Sequence, residues 1–170
     1  SATVSSSRVR PASAVTSTIT ASDGDNTNLS SATIQIATNY QNGQDVLSFT
    51  NTANITGSWN ATNGTLTLSG SDTVANYQAA LRAVKYQNTS DNPSGATRTV
   101  SFKVSDGTAD SNVLTRDIAV TPVNDAPRAI DDTASTAEDQ AITIAVLGND
   151  GDVDGDNLTV IGAGNGASGT

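Results

Sequence analysis

Four aspartates crowd into one short stretch near the end of the chain. They are Asp150, Asp152, Asp154 and Asp156, preceded by Asn149 and interrupted by Gly155. Two carboxylates 4 Å apart repel by roughly 1 kcal/mol in water and by about 4 kcal/mol at the effective dielectric of a protein surface. A divalent cation relieves that repulsion, and flexible carboxylate and carbonyl oxygens are the ligands that calcium prefers. The spacing therefore predicts a calcium site, with a solvated Asp-Gly turn as the alternative.

Further oxygen ligands stand close to this loop in the sequence, namely Asn124, Asp125, Glu138 and Asp139. Magnesium would demand stricter geometry and keep more water, and zinc finds no soft ligand here. The loop also fits the first half of the helix–loop–helix calcium template. Its twelfth position, however, is Ile161 where that template needs a bidentate Glu, and the flanking residues are patterned as strands. We therefore keep the calcium chemistry and reject that fold.

A second acidic turn contains Asp23 and Asp25, and a third acidic position is Asp106, directly before Gly107. Both Asp23 and Asp25 suit an Asx turn as well as a cation site. Asp106 could approach the junction at residues 122–127 from a neighbouring strand end, or it could belong to an ordinary Asp-Gly hairpin turn. The sequence leaves these alternatives open.

Composition excludes most other chemistry in this chain of 170 residues. It has no Cys and no His, so thiolate sites are absent and the usual general base is missing. We therefore predict no enzyme activity. Sixteen of the 17 acidic residues are Asp, and residues 123–170 carry nine acids against one base. Phosphate binding needs clustered Lys and Arg, so we expect no nucleic-acid partner. No apolar run is long enough for membrane insertion.

Alternating apolar residues predict a series of β-strands with one buried face. The apolar positions are Val15 and Ile19, then Ala32, Ile34 and Ile36, then Leu66 and Leu68, then Val84 and Tyr86, then Val100, Phe102 and Val104, and finally Ile118 and Val120. Turn residues separate them, and Asn63-Gly64 predicts a hairpin between the Trp59 segment and Leu66. Residues 73–82 show helical spacing behind Ser71 and Asp72, which could cap a short helix.

Two prolines five residues apart, Pro122 and Pro127, predict a domain boundary, because neither suits a central strand. We expect residues 1–14 to form a linker or edge strand and residues 15–122 to form a complete sandwich. Residues 123–127 would be a calcium-binding linker. Residues 128–170 would begin a second repeat that is truncated, with strands near 141–146 and 158–160 before a Gly-rich tail.

Several segments resemble the cadherin-like tandem repeats of giant bacterial extracellular adhesins, of the secreted RTX type. These segments are residues 73–88 (TVANYQAALRAVKYQN), 89–93 (TSDNP), 98–107 (RTVSFKVSDG) and 123–127 (VNDAP), and residues 129–160 resemble the opening of the next repeat. The resemblance implies an all-β, immunoglobulin-like Greek-key sandwich with one short helix. It also implies calcium (Ca²⁺) at the junctions between repeats, export to the cell surface, and a role in adhesion and biofilms. Asp23 and Asp25 resemble the upper half of such a junction.

Three functions follow as hypotheses. The first is a calcium-rigidified spacer whose partners are the neighbouring repeats of the same chain, with calcium fixing the angle between them. The second is a calcium-dependent module that binds carbohydrate or another surface ligand through Tyr40, Trp59 and the Asn-rich loops. The third is a self-assembling unit making homotypic contacts, in which residues 1–14 of one chain complete the second sandwich of another.

Overall fold

The chain folds into two units of very different character. The computed structural model describes residues 11–162, and the chain divides into compact units at residues 1–122 and 123–170. Each unit is described by itself below.

The first unit is built from two antiparallel sheets and one short helix. The large sheet has the strand order β4-β5-β2-β7-β8, and the small sheet has the order β1-β6-β3. In chain order the elements are β1 (Ser13–Ala14), β2 (Asn28–Thr38), β3 (Asp45–Ser48), β4 (Thr56–Asn60), β5 (Thr65–Thr73), α1 (Val74–Ala83), β6 (Lys85–Asn88), β7 (Arg98–Ser105) and β8 (Leu114–Ile118). This is the all-β, Ig-like sandwich with one short helix that the sequence predicts.

Alternation along the strands determines which face each sheet buries. In β2, residues Ala32, Ile34 and Ile36 are buried, and β2 pairs with β5 on one side and β7 on the other. The partners of Ile34 are Leu66 and Phe102, which are also buried. Cross-strand neighbours lie on the same face of a sheet, so these apolar side chains form one continuous inner surface.

The small sheet and the helix cover that inner surface from the other side. The small sheet contributes Leu47 and Tyr86 to the core, and α1 contributes Tyr77 and Leu81. The predicted helix is confirmed to within one residue at each end. Its N-cap is Thr73, whose Oγ1 accepts a hydrogen bond from the amide of Asn76 at 3.2 Å, and not the predicted Ser71 or Asp72.

Two glycines permit close approaches that hold the sandwich together. Gly64 ends the predicted β4–β5 hairpin turn with φ +67°, and its Cα packs against the ring of Tyr40. Gly70 has φ +127°, and a Cβ at this position would lie 1.9 Å from the carbonyl oxygen of Asn54. Positive φ is costly for any residue with a Cβ, so both positions favour glycine.

The first predicted strand differs from what the structure contains. Only Ser13–Ala14 pair with β6, at Tyr86 and Lys85, and residues 15–19 are not a strand. Ile19 is nevertheless buried in the core. In this segment the alternation predicts that the side chain of Ile19 is buried, but it does not predict whether the backbone pairs with a neighbouring strand. Most of the predicted N-terminal linker, residues 1–10, lies outside the described residues.

The second unit contains no strand among its described residues, 123–162. Its backbone pairing consists of one isolated bridge between Arg128 and Gly151, so the strands predicted near 141–146 and 158–160 are wrong. The alternating apolar side chains are exposed: Ile142 is 50% accessible, Ile144 45% and Val146 44%. Without an opposing sheet these side chains find no apolar partner surface, and alternation alone does not stabilise a strand.

Candidate metal sites

The acidic loop of the second unit folds back against the segment that follows Pro122. Asp154 Oδ2 accepts a hydrogen bond from the amide of Asp125 at 2.6 Å, and Asp150 Oδ1 accepts one from the amide of Ile130 at 2.8 Å. Between them, Arg128 and Gly151 exchange two backbone hydrogen bonds of 2.7 and 3.1 Å. The predicted proximity of the loop to Asp125 is therefore present in the structure.

Within the loop, the turn is closed by its own residues. Asp152 Oδ1 accepts a hydrogen bond from the amide of Asp154 at 2.8 Å, and its carbonyl accepts one from the amide of Gly155 at 3.2 Å. Gly155 has φ +80°, which lets the chain reverse before Asp156. This is an Asx turn, in which the Asp152 side chain caps the amide two residues further along the chain.

The side chains of this loop are the most shielded part of the second unit. No described residue of the unit is buried, and only five are partly covered; four are aspartates, and the set is Asp125, Asp150, Asp152, Asp154 and Leu158. Shielding an ionised carboxylate costs free energy unless a hydrogen bond or a cation compensates it. Here the usual arrangement is inverted, because four aspartates are partly covered while the isoleucines and valines are exposed.

A cavity of about 450 Å³ opens beside the loop. Its wall includes Asn124, Asp150, Asp152, Asp156 and Asn157, all of which carry oxygen ligands of the hard type that calcium accepts. Across the described residues, however, no group of three or more His, Cys, Asp or Glu side chains is arranged so that it could hold a metal ion. A cation in this cavity would therefore also use amide or backbone carbonyl oxygens, or draw the carboxylates closer.

Two other predicted ligands, Glu138 and Asp139, lie in a separate local turn. The amide of Gln140 donates to the carbonyl of Ala137 at 3.2 Å, and Asp139 has φ +59°. Within residues 11–162, no hydrogen bond joins this turn to the acidic loop. Asp139 therefore serves the turn through its backbone conformation, and neither Glu138 nor Asp139 is among the residues that line the cavity beside the loop.

A second acidic cluster lies at one end of the first unit. Asp23, Asp25, Asp106 and Asp110 line a cavity of about 540 Å³, and Asn26 Nδ2 donates to Asp106 Oδ2 at 2.7 Å. The amides of Asp25 and Asn26 lower the pKa of Asp23. A side-chain hydrogen bond to Asp23, together with its charge, raises the pKa of Asp25. The charge of Asp23 thus acts unfavourably on the ionised Asp25, and a bound cation would relieve this repulsion.

Asp106 does not approach the start of the junction at Pro122. It lies just beyond the end of β7, where the amides of Ala109 and Thr108 donate to its Oδ1 at 2.7 Å each and lower its pKa. Pro122 instead packs beside Gly95, ahead of the start of β7. At about 3.3 Å per residue, the eight residues of β7 separate the two points by roughly 25 Å. The structure places Asp106 with the Asp23 turn.

The aromatic pair that suggested carbohydrate binding is part of the sandwich. Tyr40 and Trp59 meet edge to face, with ring centroids 6.2 Å apart and an interplanar angle of 79°. The Tyr40 ring covers Gly64, and its hydroxyl donates to the carbonyl of Ala61. Both rings pack partly buried against the core. This geometry gives the pair a clear structural role in fixing the β4–β5 hairpin.

Sequence reasoning missed one polar cluster, which lies between the sheets. Asp45 of β3 and Arg98 of β7 form an ion pair at 3.1 Å with both side chains 0% accessible. Asp45 also accepts hydrogen bonds from the Tyr86 hydroxyl and from Asn88 Nδ2, both at 2.6 Å, and from the amide of Gln41 at 2.8 Å. The signal was available, because each charge is two residues from a buried apolar neighbour on its own strand.

Comparison with known proteins finds a similarity for the second unit only. Residues 124–170 match the family model of the bacterial Ig domain, and the described part of this unit, residues 123–162, contains no buried side chain. No curated protein and no solved structure matches the chain. Bacterial Ig domains typically occur as repeats in extracellular and surface proteins and are typically non-catalytic. No helix among residues 11–162 is long and apolar enough to cross a membrane.

Proposed function

We propose that the chain is a calcium-stiffened spacer of a bacterial surface adhesin made of Ig-like repeats. In this proposal calcium is bound by the acidic loop and the linker, and it stiffens the junction between successive repeats. The spacer projects a distant binding domain and itself contacts neighbouring repeats of the same chain. The match of residues 124–170 to the bacterial Ig domain supports the repeat architecture.

The proposal rests on which side chains of the second unit are shielded from solvent and which are exposed. Asp125, Asp150, Asp152 and Asp154 are its best-shielded acids, while its isoleucines are exposed. Apolar burial therefore contributes little to the order of this unit, and shielded like charges oppose it. A divalent cation reverses the sign of the electrostatic contribution, so that the carboxylates hold the loop to the linker.

The residues of the cavity match calcium better than other metals. Asp150, Asp152 and Asp156 supply carboxylate oxygens, and Asn124 and Asn157 supply amide oxygens. Calcium tolerates irregular geometry and mixed carboxylate and carbonyl ligands, whereas magnesium demands a near-ideal octahedron. Extracellular calcium modules bind at about 10⁻⁴ to 10⁻³ M, so the site would fill outside the cell. The cluster of Asp23, Asp25 and Asp106 is the second place where we propose calcium.

A calorimetric titration of the whole chain with calcium tests the proposal. We expect calcium to bind the wild-type chain. The variant Asp152→Asn/Asp156→Asn should bind it about tenfold more weakly or worse, because the charge of the ligands sets calcium affinity. Asp131→Asn/Asp132→Asn is the matched control, since it removes the same charge nearby but outside the cavity, and it should leave the affinity nearly unchanged. Equal loss in both variants would reduce the site to general charge attraction.

Hydrogen exchange of the second unit provides the structural readout. Calcium should slow the exchange of the amides of Asp125, Ile130 and Asp154, which the loop carboxylates already engage. Magnesium at the same concentration should slow them less. Identical exchange in calcium and in chelator would contradict a calcium-stiffened junction.

A further inference from the structure

The buried ion pair of the first unit joins its two sheets at one end of the sandwich. Asp45 is the first residue of β3 in the small sheet, and Arg98 is the first residue of β7 in the large sheet. The only other ion pair among the described residues, Lys103 with Asp110, is exposed. Every other buried side chain of the sandwich, apart from Thr16, is apolar or aromatic. The pair is therefore a directional cross-link within a core that is otherwise non-directional.

The same arginine also holds the loop on which the end of the first unit rests. Arg98 Nη1 donates to the carbonyl oxygens of Ser94 and Ala96 at 2.6 and 2.5 Å. Gly95 lies between them, and a Cβ at that position would be 3.5 Å from Cδ of Pro122. Pro122 is the last residue of the unit. The chain thus leaves the first unit across a loop whose carbonyls are fixed by the guanidinium.

A pull along the chain enters at the small sheet and leaves from the large sheet, so contacts between the sheets carry load beside the backbone that runs from β1 to β2. The first strand, β1, belongs to the small sheet through its pairing with β6, and the last strand, β8, belongs to the large sheet through β7. Apolar contacts between the sheets can exchange partners as surfaces slide. Charge-assisted hydrogen bonds are directional and roughly twice as strong as neutral ones. They should therefore resist the initial sliding of one sheet over the other better than apolar contacts do.

We propose that the Asp45–Arg98 pair is the mechanical anchor of the first unit. It passes tension from the small sheet to the large sheet, and through Ser94 and Ala96 to the loop beneath Pro122. The inference rests on the proposed spacer role, in which a string of repeats carries tension, but it does not depend on calcium. It assigns Asp45 and Arg98 a function in resisting force that differs from their contribution to equilibrium stability.

An apolar replacement separates force resistance from equilibrium stability. In the variant Asp45→Leu/Tyr86→Phe/Arg98→Met, no buried charge is left unpaired and the volume is roughly kept, although Asn88 Nδ2 and the carbonyls of Ser94 and Ala96 lose their hydrogen-bond partners. Such replacements of buried ion pairs are often neutral or stabilising at equilibrium. We therefore expect the thermal midpoint, followed by the fluorescence of Trp59, to fall far less than in Asp45→Ala, which leaves the guanidinium buried without its counter-charge. If the ion pair contributed to equilibrium stability alone, we would expect no further effect of this variant under force.

Single-molecule pulling in two directions then tests the proposal on the full chain. The chain has no cysteine, so Pro11→Cys with Val123→Cys applies tension across the two sheets. Thr62→Cys with Val123→Cys is the matched control, because Thr62 lies in the β4–β5 turn and the tension stays within the large sheet. Both directions are measured in chelator, which makes the outcome independent of the calcium proposal.

We expect the apolar variant to lower the unfolding force by about half across the sheets, because the strong charge-assisted bonds are gone. Within the large sheet the force should not change. An unchanged force across the sheets, or an equal fall in both directions, would overturn the proposal. If the apolar variant does not fold, Arg98→Lys decides, since it keeps the charge but cannot reach both Asp45 and the two carbonyls; it should show the same directional loss.

Discussion

The two units of this chain use opposite means to order their backbone. In the first unit, apolar side chains from both sheets and the helix form one core, and the buried charges of Asp45 and Arg98 are hydrogen-bonded to each other. In the second unit no described side chain is buried, and the most shielded ones are acidic. Hydrophobic burial is non-directional and always available, whereas a cluster of like charges is ordered only when a counter-ion is present. From this contrast we propose that stability is intrinsic to the first unit and, in the second, conditional on a bound cation.

The two units should also differ in which substitutions they tolerate. The first unit contains charges inside its core, but each is paired, and one atom, Arg98 Nη2, lacks a hydrogen-bond partner. Disrupting that balance exposes the full cost of burying a charge. The second unit contains more charge, but its charges are close to water and its apolar residues already face solvent. The same type of substitution should therefore change stability by very different amounts in the two units.

The largest effect is expected from breaking the buried ion pair on one side only. Asp45→Ala leaves the Arg98 guanidinium buried without its counter-charge, which should destabilise the first unit by about 3–5 kcal/mol. Urea denaturation followed by the fluorescence of Trp59, the single tryptophan, measures this loss. Hydrogen exchange in the second unit should not change. A coupled change there would show that the two units are not independent.

The exposed ion pair of the same unit provides the control. Asp110 accepts a hydrogen bond from Lys103 Nζ at 2.6 Å, yet the two side chains are 54% and 39% accessible. Solvent screening makes such pairs weak. Asp110→Ala should therefore leave the urea midpoint nearly unchanged, and a loss comparable to that of Asp45→Ala would mean that burial does not decide the size of the effect.

The same substitution, isoleucine to alanine, can be made in both units to compare how much each depends on apolar burial. Ile34→Ala in β2 removes a side chain that is 0% accessible, and it should cost about 2–5 kcal/mol through lost burial and the remaining cavity. Ile144→Ala in the second unit removes one that is 45% accessible and should change stability by less than about 0.5 kcal/mol. The same denaturation experiment measures the first, and hydrogen exchange in calcium measures the second. A large effect at Ile144 would reveal a core that forms only with calcium bound.

The sequence predicted the first unit well because its signals are local and redundant. Ala32, Ile34 and Ile36 alternate, Asn63-Gly64 provides a hairpin turn, and the helix has both apolar spacing and a polar cap. Each signal restricts the same fold independently. The same alternation at Ile142 and Ile144 failed, because a strand needs a partner and the alternation does not reveal whether one exists.

The candidate site was predictable only in part. The loop of Asp150 to Asp156 and its contact with Asp125 followed from charge density and from position next to the linker. The grouping of Asp106 with Asp23 did not, because it depends on which ends of the strands meet, and that is decided by the pairing of β7 with β2. Asp45 and Arg98 were visible as charges at inward positions, but only the pairing of the sheets shows that they meet.

The last effect that we predict concerns pH. Burial, and then the hydrogen bond to Asp45, raise the pKa of Tyr86 well above the ordinary value near 10. The folded state therefore holds this proton more tightly than the unfolded state. The resulting stability is fully present below pH 10 and is lost as the pH rises towards the folded-state pKa, by at most about 1.4 kcal/mol per pH unit.

Comparison with Tyr86→Phe isolates this contribution from the other groups that titrate in alkali. The variant loses one hydrogen bond to Asp45 at neutral pH, so it should start about 1 kcal/mol less stable. Its stability should then fall less steeply than that of the wild-type chain between pH 10 and 11.5 in urea denaturation. Parallel curves would mean that the Tyr86 proton is not held by the fold. Because the second unit contains no tyrosine, its hydrogen exchange, corrected for the intrinsic effect of pH, should not follow this transition.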